Sequence, residues 1–496
     1  GGKEKWNMSE EKTIPGRRQK QAGYYCIVAL SVALMFLGKW IPPFAPEITP
    51  VGMGVLGVFL GVVILWSTVG GSIWPSILGI IALGCTGYTN VTGAVSTSLG
   101  SFMVFNMICV TAMVAALTTT GADVKMANWL ISRKAWEGKP YLFTLAFLFS
   151  FFLISALTMA FAMIFVCWTI LRKTADQVGV SMRHPYFVLM TIYSVIATSL
   201  GEFVIPFKGW QYALCNAFLA NAGVEVNFGI YIVTTLLMGV IMILLLVSAM
   251  RFLFRVDLTP LQNYHAPETA AGSHKLTGGQ KATMAVLIIS MILSIGTNYL
   301  QGDSLPARIV TALGLPGIFG IAVVFLCVIK NREGKPILDF GKVMSGMVWG
   351  PILLVGVATC LSSALTAADC GFMAFFSRVL GPVMDGKPVA FVYAFIIIIA
   401  CVLTNIASNM GIGMMMIPIA VPICAAAGCN MNVAAIVCIY SACYGFILPG
   451  AAAVSPLMYS NPDLTKREIL SYTTFTVVLY IVIGCIIFPI LDMLLR

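Results

Sequence analysis

Long apolar runs separated by short polar segments follow one another from residue 24 to the end of the chain. A helix needs roughly 20 apolar residues to cross the hydrocarbon of a bilayer. Runs at Tyr24–Ile41, Val51–Val69, Ser72–Gly84, Leu99–Thr119, Gly229–Leu253, Ala282–Leu300, Ile309–Ile329, Val343–Leu365 and Ile469–Leu495 read as spans. Two runs are too long for one comfortable span, Tyr141–Leu171 and Pro388–Ala427. The first has Lys139 before it and Arg172 with Lys173 after it, so both ends seek the cytoplasm and the run reads as a re-entrant hairpin. Two further overlong runs carry helix breakers. Tyr186–Ala220 is interrupted by Ser199, Gly201, Pro206 and Gly209, and Asn432–Tyr459 by Pro449, Gly450 and Pro456, so both predict discontinuous helices.

The fold class that follows is all-α and membrane-integral: about 11 transmembrane helices plus two re-entrant hairpins, in inverted repeats with discontinuous helices. Half-polar arms at Gly121–Lys139 and Asp369–Met384 read as headgroup-plane helices. Lys12, Arg17, Arg18 and Lys20 precede the first run and place the N-terminus in the cytoplasm, and counting crossings leaves the C-terminus outside.

Composition agrees, since 59% hydrophobic and 10% charged residues cannot cover a soluble surface. The net charge of +10 lies mostly in short segments between apolar runs, where it sets orientation, so nucleic acid is not an expected partner. The 14 cysteines fall mostly inside apolar runs without disulfide or zinc spacing, and the three histidines fall in polar connections, so no cofactor is expected. The absence of an HExxH pair or a GxSxG elbow argues against an intramembrane enzyme.

Candidate chemistry gathers at the unusual segments. The second hairpin turns at Thr404-Asn405-Ile406-Ala407-Ser408-Asn409, a polar patch whose hydroxyls and amides offer oxygens to an alkali cation or donors to a carboxylate. The first turns near Thr158. Glu202 and Lys208 stand in the first broken helix beside Thr198 and Ser199, and buried charge there marks a functional site by default. Lys208 suits a fixed positive charge facing a substrate carboxylate, with Glu202 its partner or a proton carrier; a structural ion pair is the competing reading. Pro449-Gly450-Ala451 and Ser455 occupy the second break.

At this point the chain resembles the divalent-anion:sodium symporter (dicarboxylate carrier) family of the ion transporter superfamily, as a divergent member. That family's hairpin tips carry a Ser-Asn-Thr signature twice: here Ser408-Asn409 matches it and Met410 departs, while only Thr158 survives in the first tip. Pro418, Leu448-Pro449, Thr120-Gly121 and Ala127-Asn128-Trp129-Leu130 extend the resemblance. It implies a secondary carrier of a small organic anion, with sodium as the coupling ion, working as a homodimer in a plasma membrane (the inner membrane in a bacterium). A transport domain would move past a scaffold, as in an elevator.

The division it implies is a cytoplasmic segment at 1–22, scaffold helices at 23–97, a first repeat at 98–254, a cytoplasmic linker at 255–281, further scaffold helices at 282–342 and a second, inverted repeat at 343–496. Thr158, Thr198, Ser199, Lys208, Ser408, Asn409 and Ser455 are then expected to bind substrate. Glu202, Thr404, Asn405, Ser408, Asn409, Pro449, Gly450 and Ala451 are expected to bind or couple the ion. A sodium/proton antiporter using Glu202 is the alternative within transport.

Overall fold

The computed structural model describes residues 15–69, 73–125, 137–158, 160–263, 276–299, 304–331, 334–347, 349–372, 374–375, 378–379, 382, 386–406, 409–448, 451–452 and 454–496. Its helices are α1 (Pro15–Leu37), α2 (Pro50–Val69), α3 (Trp74–Leu83), α4 (Val91–Leu99), α5 (Phe102–Thr119), α6 (Pro140–Leu157), α7 (Ala160–Gln177), α8 (Pro185–Glu202), α9 (Gln211–Ala222) and α10 (Phe228–Phe252). Then come α11 (Gly278–Tyr299), α12 (Leu305–Val328), α13 (Phe340–Gly346), α14 (Trp349–Thr366), α15 (Val389–Ile406), α16 (Asn409–Ala426), α17 (Met431–Ala442), α18 (Ser455–Ser460) and α19 (Lys466–Leu495).

The protein is all-helical, and eight of its described helical segments are long and apolar enough to cross a membrane; α3 and α17 are among the shorter apolar helices. The difference from the expected spans comes from interruption. The run expected as one span at Val343–Leu365 is split into α13 and α14, because Pro351 is tolerated in the first turn of a helix and not in its interior. Between the runs Ser72–Gly84 and Leu99–Thr119 the chain forms helix α4, started by the Asn90 side chain, which accepts from the Gly93 amide at 2.7 Å. Helix α12 is kinked at Gly314, whose φ of 56° lies in the left-handed region. Most of the first expected arm and part of the second lie outside the described residues.

An order of elements recurs. Two 18-residue helices flank a short break, α6 and α7 in the first half and α15 and α16 in the second. Each pair is followed by a helix, a non-helical segment, another helix and a long helix: α8, α9 and α10, then α17, α18 and α19.

Burial separates centre from rim. Every residue of α8 from Tyr186 to Gly201 is buried, as is α17 from Val433 to Ala442. On α19, Val478, Val482, Ile486 and Ile490 lie more than half exposed at a spacing of four, an apolar stripe suited to lipid or to another apolar surface within the membrane. The broken helices therefore form the interior, and long continuous helices face the bilayer.

The two halves pack through these broken elements. Helix α9 lies on α16, where a Cβ on Gly413 would overlap the Leu214 side chain. The Asn227 amide donates to Asn432 Oδ1 at 2.8 Å, and Arg172 pairs with Asp463 at 2.7 Å. In the second half the hairpin is anchored to α19 by the buried Asp492 carboxylate, which accepts from the Tyr393 hydroxyl and from the Asn430 amide at 2.7 Å, and pairs with Arg496.

Hydrogen bonds to a charged group contribute about 1.5–3 kcal/mol each. Asp492→Ala is expected to cost about 3 kcal/mol, because two buried donors lose their acceptor together. A thermal melt in detergent within a degree of the native one would show that α19 does not hold the hairpin this way.

Candidate functional site

The first break is written in the local sequence. Pro206 has no backbone N–H and disfavours helix at the residue before it, and Ile205 is extended (φ −109°, ψ 103°). The chain makes one 3-10 turn at Pro206–Lys208, passes through Gly209 and restarts as α9. The groups freed face neighbours: Asn106 Nδ2 donates to the Phe207 carbonyl at 3.3 Å, and Thr235 Oγ1 lies 3.3 Å from the Val204 carbonyl while sharing its one proton with the Tyr231 carbonyl of its own helix at 2.8 Å. Just before the break, a Cβ on Gly201 would overlap the Phe152 carbonyl, so α8 lies directly against α6.

Glu202, the last residue of α8, places Oε2 3.3 Å from the amide of Ala160, the first residue of α7. A carboxylate at a helix N-terminus meets both an unsatisfied donor and the positive end of the dipole. Thr158, at the turn, is buried and back-bonds to the Ile154 carbonyl at 3.0 Å. Thr198 and Ser199 are buried on α8 and donate to carbonyls one turn back, Ser194 at 2.8 Å and Val195 at 2.8 Å.

The second break is held by its hairpin. Helix α17 ends at Ala442, and the Asn405 side chain binds the unwound segment that follows. Its Nδ2 donates to the carbonyls of Cys401 (2.7 Å) and Tyr444 (2.8 Å), and its Oδ1 accepts from the amides of Phe446 (2.9 Å) and Ile447 (2.8 Å). A carboxamide has two N–H groups and two lone pairs, so all four are used. The Tyr459 hydroxyl closes on the Ile447 carbonyl at 2.6 Å, and Ser455 Oγ donates to the Gly445 carbonyl at 3.3 Å.

Beside Asn405 lies a cluster of oxygens. Thr404 Oγ1 is 2.8 Å from Asn409 Oδ1 and 2.7 Å from the Ala442 carbonyl, while Asn409 Nδ2 is 3.3 Å from the Cys443 carbonyl. The Asn409 amide donates to Ala451 O at 3.2 Å. A Cβ on Gly445 would overlap Asn409 Oδ1, so only glycine lets the hairpin come this close. The two breaks meet at Cys443, whose thiol has the Gln211 side chain beside it and Glu202 within electrostatic reach.

Residues 24–494 match the model of the sodium:sulfate symporter transmembrane region. The chain belongs to this family. It is therefore a multi-pass membrane transporter and not an enzyme. Two solved structures share the fold of this symporter-family chain. The Alcanivorax borkumensis YdaH transporter is 13% identical with a TM-score of 0.51, covering 81% of this chain and 88% of that one. Neisseria gonorrhoeae MtrF, described within a class of antimetabolite efflux pumps, is 13% identical with a TM-score of 0.52, covering 94% of each chain. No match to a curated protein sequence was found.

Within this symporter-family chain the structure brings Thr404, Asn405, Asn409, Ala451 and Ser455 together around Gly445, and sets Glu202 against the other hairpin. Ser408, Pro449 and Gly450 lie outside the described residues, as does the side chain of Lys208. Thr158, Thr198 and Ser199 are not joined to the second cluster by a hydrogen bond among those described. Sequence reasoning missed Gln211, Asn106, Cys443 and Gly445. Gln211 was findable as a lone amide directly after the break; Gly445 was not, because its constraint comes from a side chain 36 positions earlier in the chain, Asn409.

Asn405→Ala would leave two amides and a carbonyl without partners, and each buried orphan costs about 1–3 kcal/mol. The variant is expected to lose most of its folded population in detergent, measured by fluorescence-detected size exclusion and thermal melting. A native melting profile would mean that Asn405 is free for ligand and does not brace the break.

Proposed function

We propose that this chain is a secondary active carrier of a small organic anion of the carboxylate or dicarboxylate class, coupled to sodium. In this reading α6 with α7 and α15 with α16 are the two re-entrant hairpins of inverted repeats. They move with the broken helices as a transport domain past the earlier spans of each half, in a homodimer with its N-terminus in the cytoplasm.

The oxygen cluster at the second hairpin carries the reading. Thr404 has one hydroxyl proton, so with Asn409 Oδ1 facing it one of its two oxygen contacts lacks a hydrogen. Exchanging the oxygen and nitrogen of the Asn409 amide repairs that contact but turns Oδ1 toward the Cys443 carbonyl. Either orientation leaves two oxygens facing each other inside the membrane. A monovalent hard cation between them removes the conflict, and neutral oxygens are the donors sodium takes.

The two hairpins are also electrically unequal. Glu202 compensates the positive end of α7. No described carboxylate does so at α16, whose Asn409 amide donates to a carbonyl instead. An anion is accordingly drawn to the α16 side, with Lys208 on the first broken helix as a further fixed charge.

The test is uptake of labelled mono- and dicarboxylates into proteoliposomes under separately imposed sodium and proton gradients, for the native chain, Asn409→Ala and Lys208→Ala. Sodium-dependent accumulation is expected for the native chain. Asn409→Ala should raise the sodium concentration for half-maximal uptake about tenfold or more, equivalent to about 1.4 kcal/mol. Lys208→Ala should lose uptake. If no anion moves and a sodium gradient instead drives proton flux, the organic-anion reading fails and the antiporter takes its place.

A further inference from the structure

Gln211 is the first residue of α9, fully buried, and neither its Nε2 nor its Oε1 has a hydrogen-bond partner among the described residues. Burying a whole carboxamide without partners is expensive, and a polar side chain that only supported the fold would be bonded. The Cys443 thiol lies beside it without reaching hydrogen-bond geometry, and itself donates to the Ile439 carbonyl at 3.3 Å. Gln211 thus sits where the first broken helix meets the second, next to the residue whose carbonyl faces Asn409. Two more orphans belong to the same region. Asn106 Oδ1 has no partner although its Nδ2 holds the Phe207 carbonyl, and the buried Tyr231 hydroxyl, within electrostatic reach of Cys443, is also unpaired.

We propose that Gln211 is a specificity-determining residue of this carrier, and that it selects an anion bearing a hydrogen-bond donor, such as a hydroxyl, beside its carboxylate. This rests on the organic-anion reading above and narrows it. A carboxylate or sulfate oxygen can take the protons of Nε2, but a fully ionised anion has nothing to offer Oε1, which needs a donor. A hydroxy-acid satisfies both ends of the amide at once, and a site built to bond a hydroxyl discriminates strongly against the analogue lacking it, because its own buried group is left unpaired.

The position of the carboxamide is set by Gly209. A Cβ there would overlap Gln211 Oε1, whereas the backbone at Gly209 (φ −130°, ψ −172°) is extended and open to any residue. Gly209→Ala therefore displaces the amide without straining the chain or removing the amide itself, and gives a second, independent variant.

The experiment measures proteoliposome uptake of matched pairs differing by one hydroxyl, malate against succinate and lactate against propionate, for the native full chain, Gln211→Leu and Gly209→Ala. The native chain is expected to favour the hydroxylated member of at least one pair by about tenfold in kcat/KM, and both variants to bring that ratio within about twofold of unity. The change should come from the hydroxylated member. Gln211→Leu should melt no lower than the native chain, since it loses no hydrogen bond and buries more apolar surface.

A native chain without preference, or a ratio preserved in Gln211→Leu, overturns the assignment while leaving the carrier reading intact. A lowered melting temperature with an unchanged ratio makes Gln211 structural and overturns it as well. Failure of the native chain to move any of the four anions overturns both this assignment and the reading beneath it.

Discussion

Lipid offers a broken helix no hydrogen-bond partner, so each amide and carbonyl released by the break has to be bonded within the protein or to water in a cavity it encloses. The rest of this structure follows from that requirement. At the second break the Asn405 side chain binds three of the backbone groups after α17, and Tyr459 and Ser455 take two more. The same bonds dock the α15–α16 hairpin on the end of α17, so the hairpin's polar tip and the unwound backbone form a single object. At the first break the work is divided between Thr235, from α10, and Asn106, from α5. That break is consequently tied to more than one surrounding helix.

The halves repeat the same order of elements and put different chemistry into it. In the first, the turn keeps one hydroxyl, Thr158, and the helix end beyond it faces the Glu202 carboxylate. In the second, neutral oxygens from Thr404, Asn409, Ala442 and Cys443 crowd together with too few protons. Neutral oxygens suit a cation that must be released again, whereas a resident carboxylate binds a helix end permanently. In the proposed reading the first hairpin is braced by Glu202, while the second hairpin's oxygens hold the ion and the first broken helix adds Lys208 and Gln211 to the substrate side.

Much of this was legible in the chain as written. Run length and composition alone gave an all-helical membrane protein, since apolar segments this long have no other solvent. The break at Pro206 and the helix pairs on either side of Thr158 and of residues 407–408 were visible because proline and polar patches are rare inside apolar runs, whereas α17 ends at Ala442, seven residues before the proline expected to break it. The polar cluster of the second tip was named by residue type. Its internal roles were not: Asn405 and Asn409 look equivalent in sequence, and only their partners separate a saturated brace from a half-satisfied ligand.

The sequence by itself determined the solvent, the helices and the places where they break, because those depend on hydrophobic length and on backbone sterics that act within a few residues. Tertiary structure alone decided which polar atoms are satisfied. Gln211 lies more than 230 positions from Cys443, and Asn409 is separated by the whole of α17 from Gly445, the residue that admits it. Whether a buried hydroxyl, amide or carboxylate is a brace or a site depends on what lies within about 3 Å of it, and no local pattern encodes a contact made across the fold.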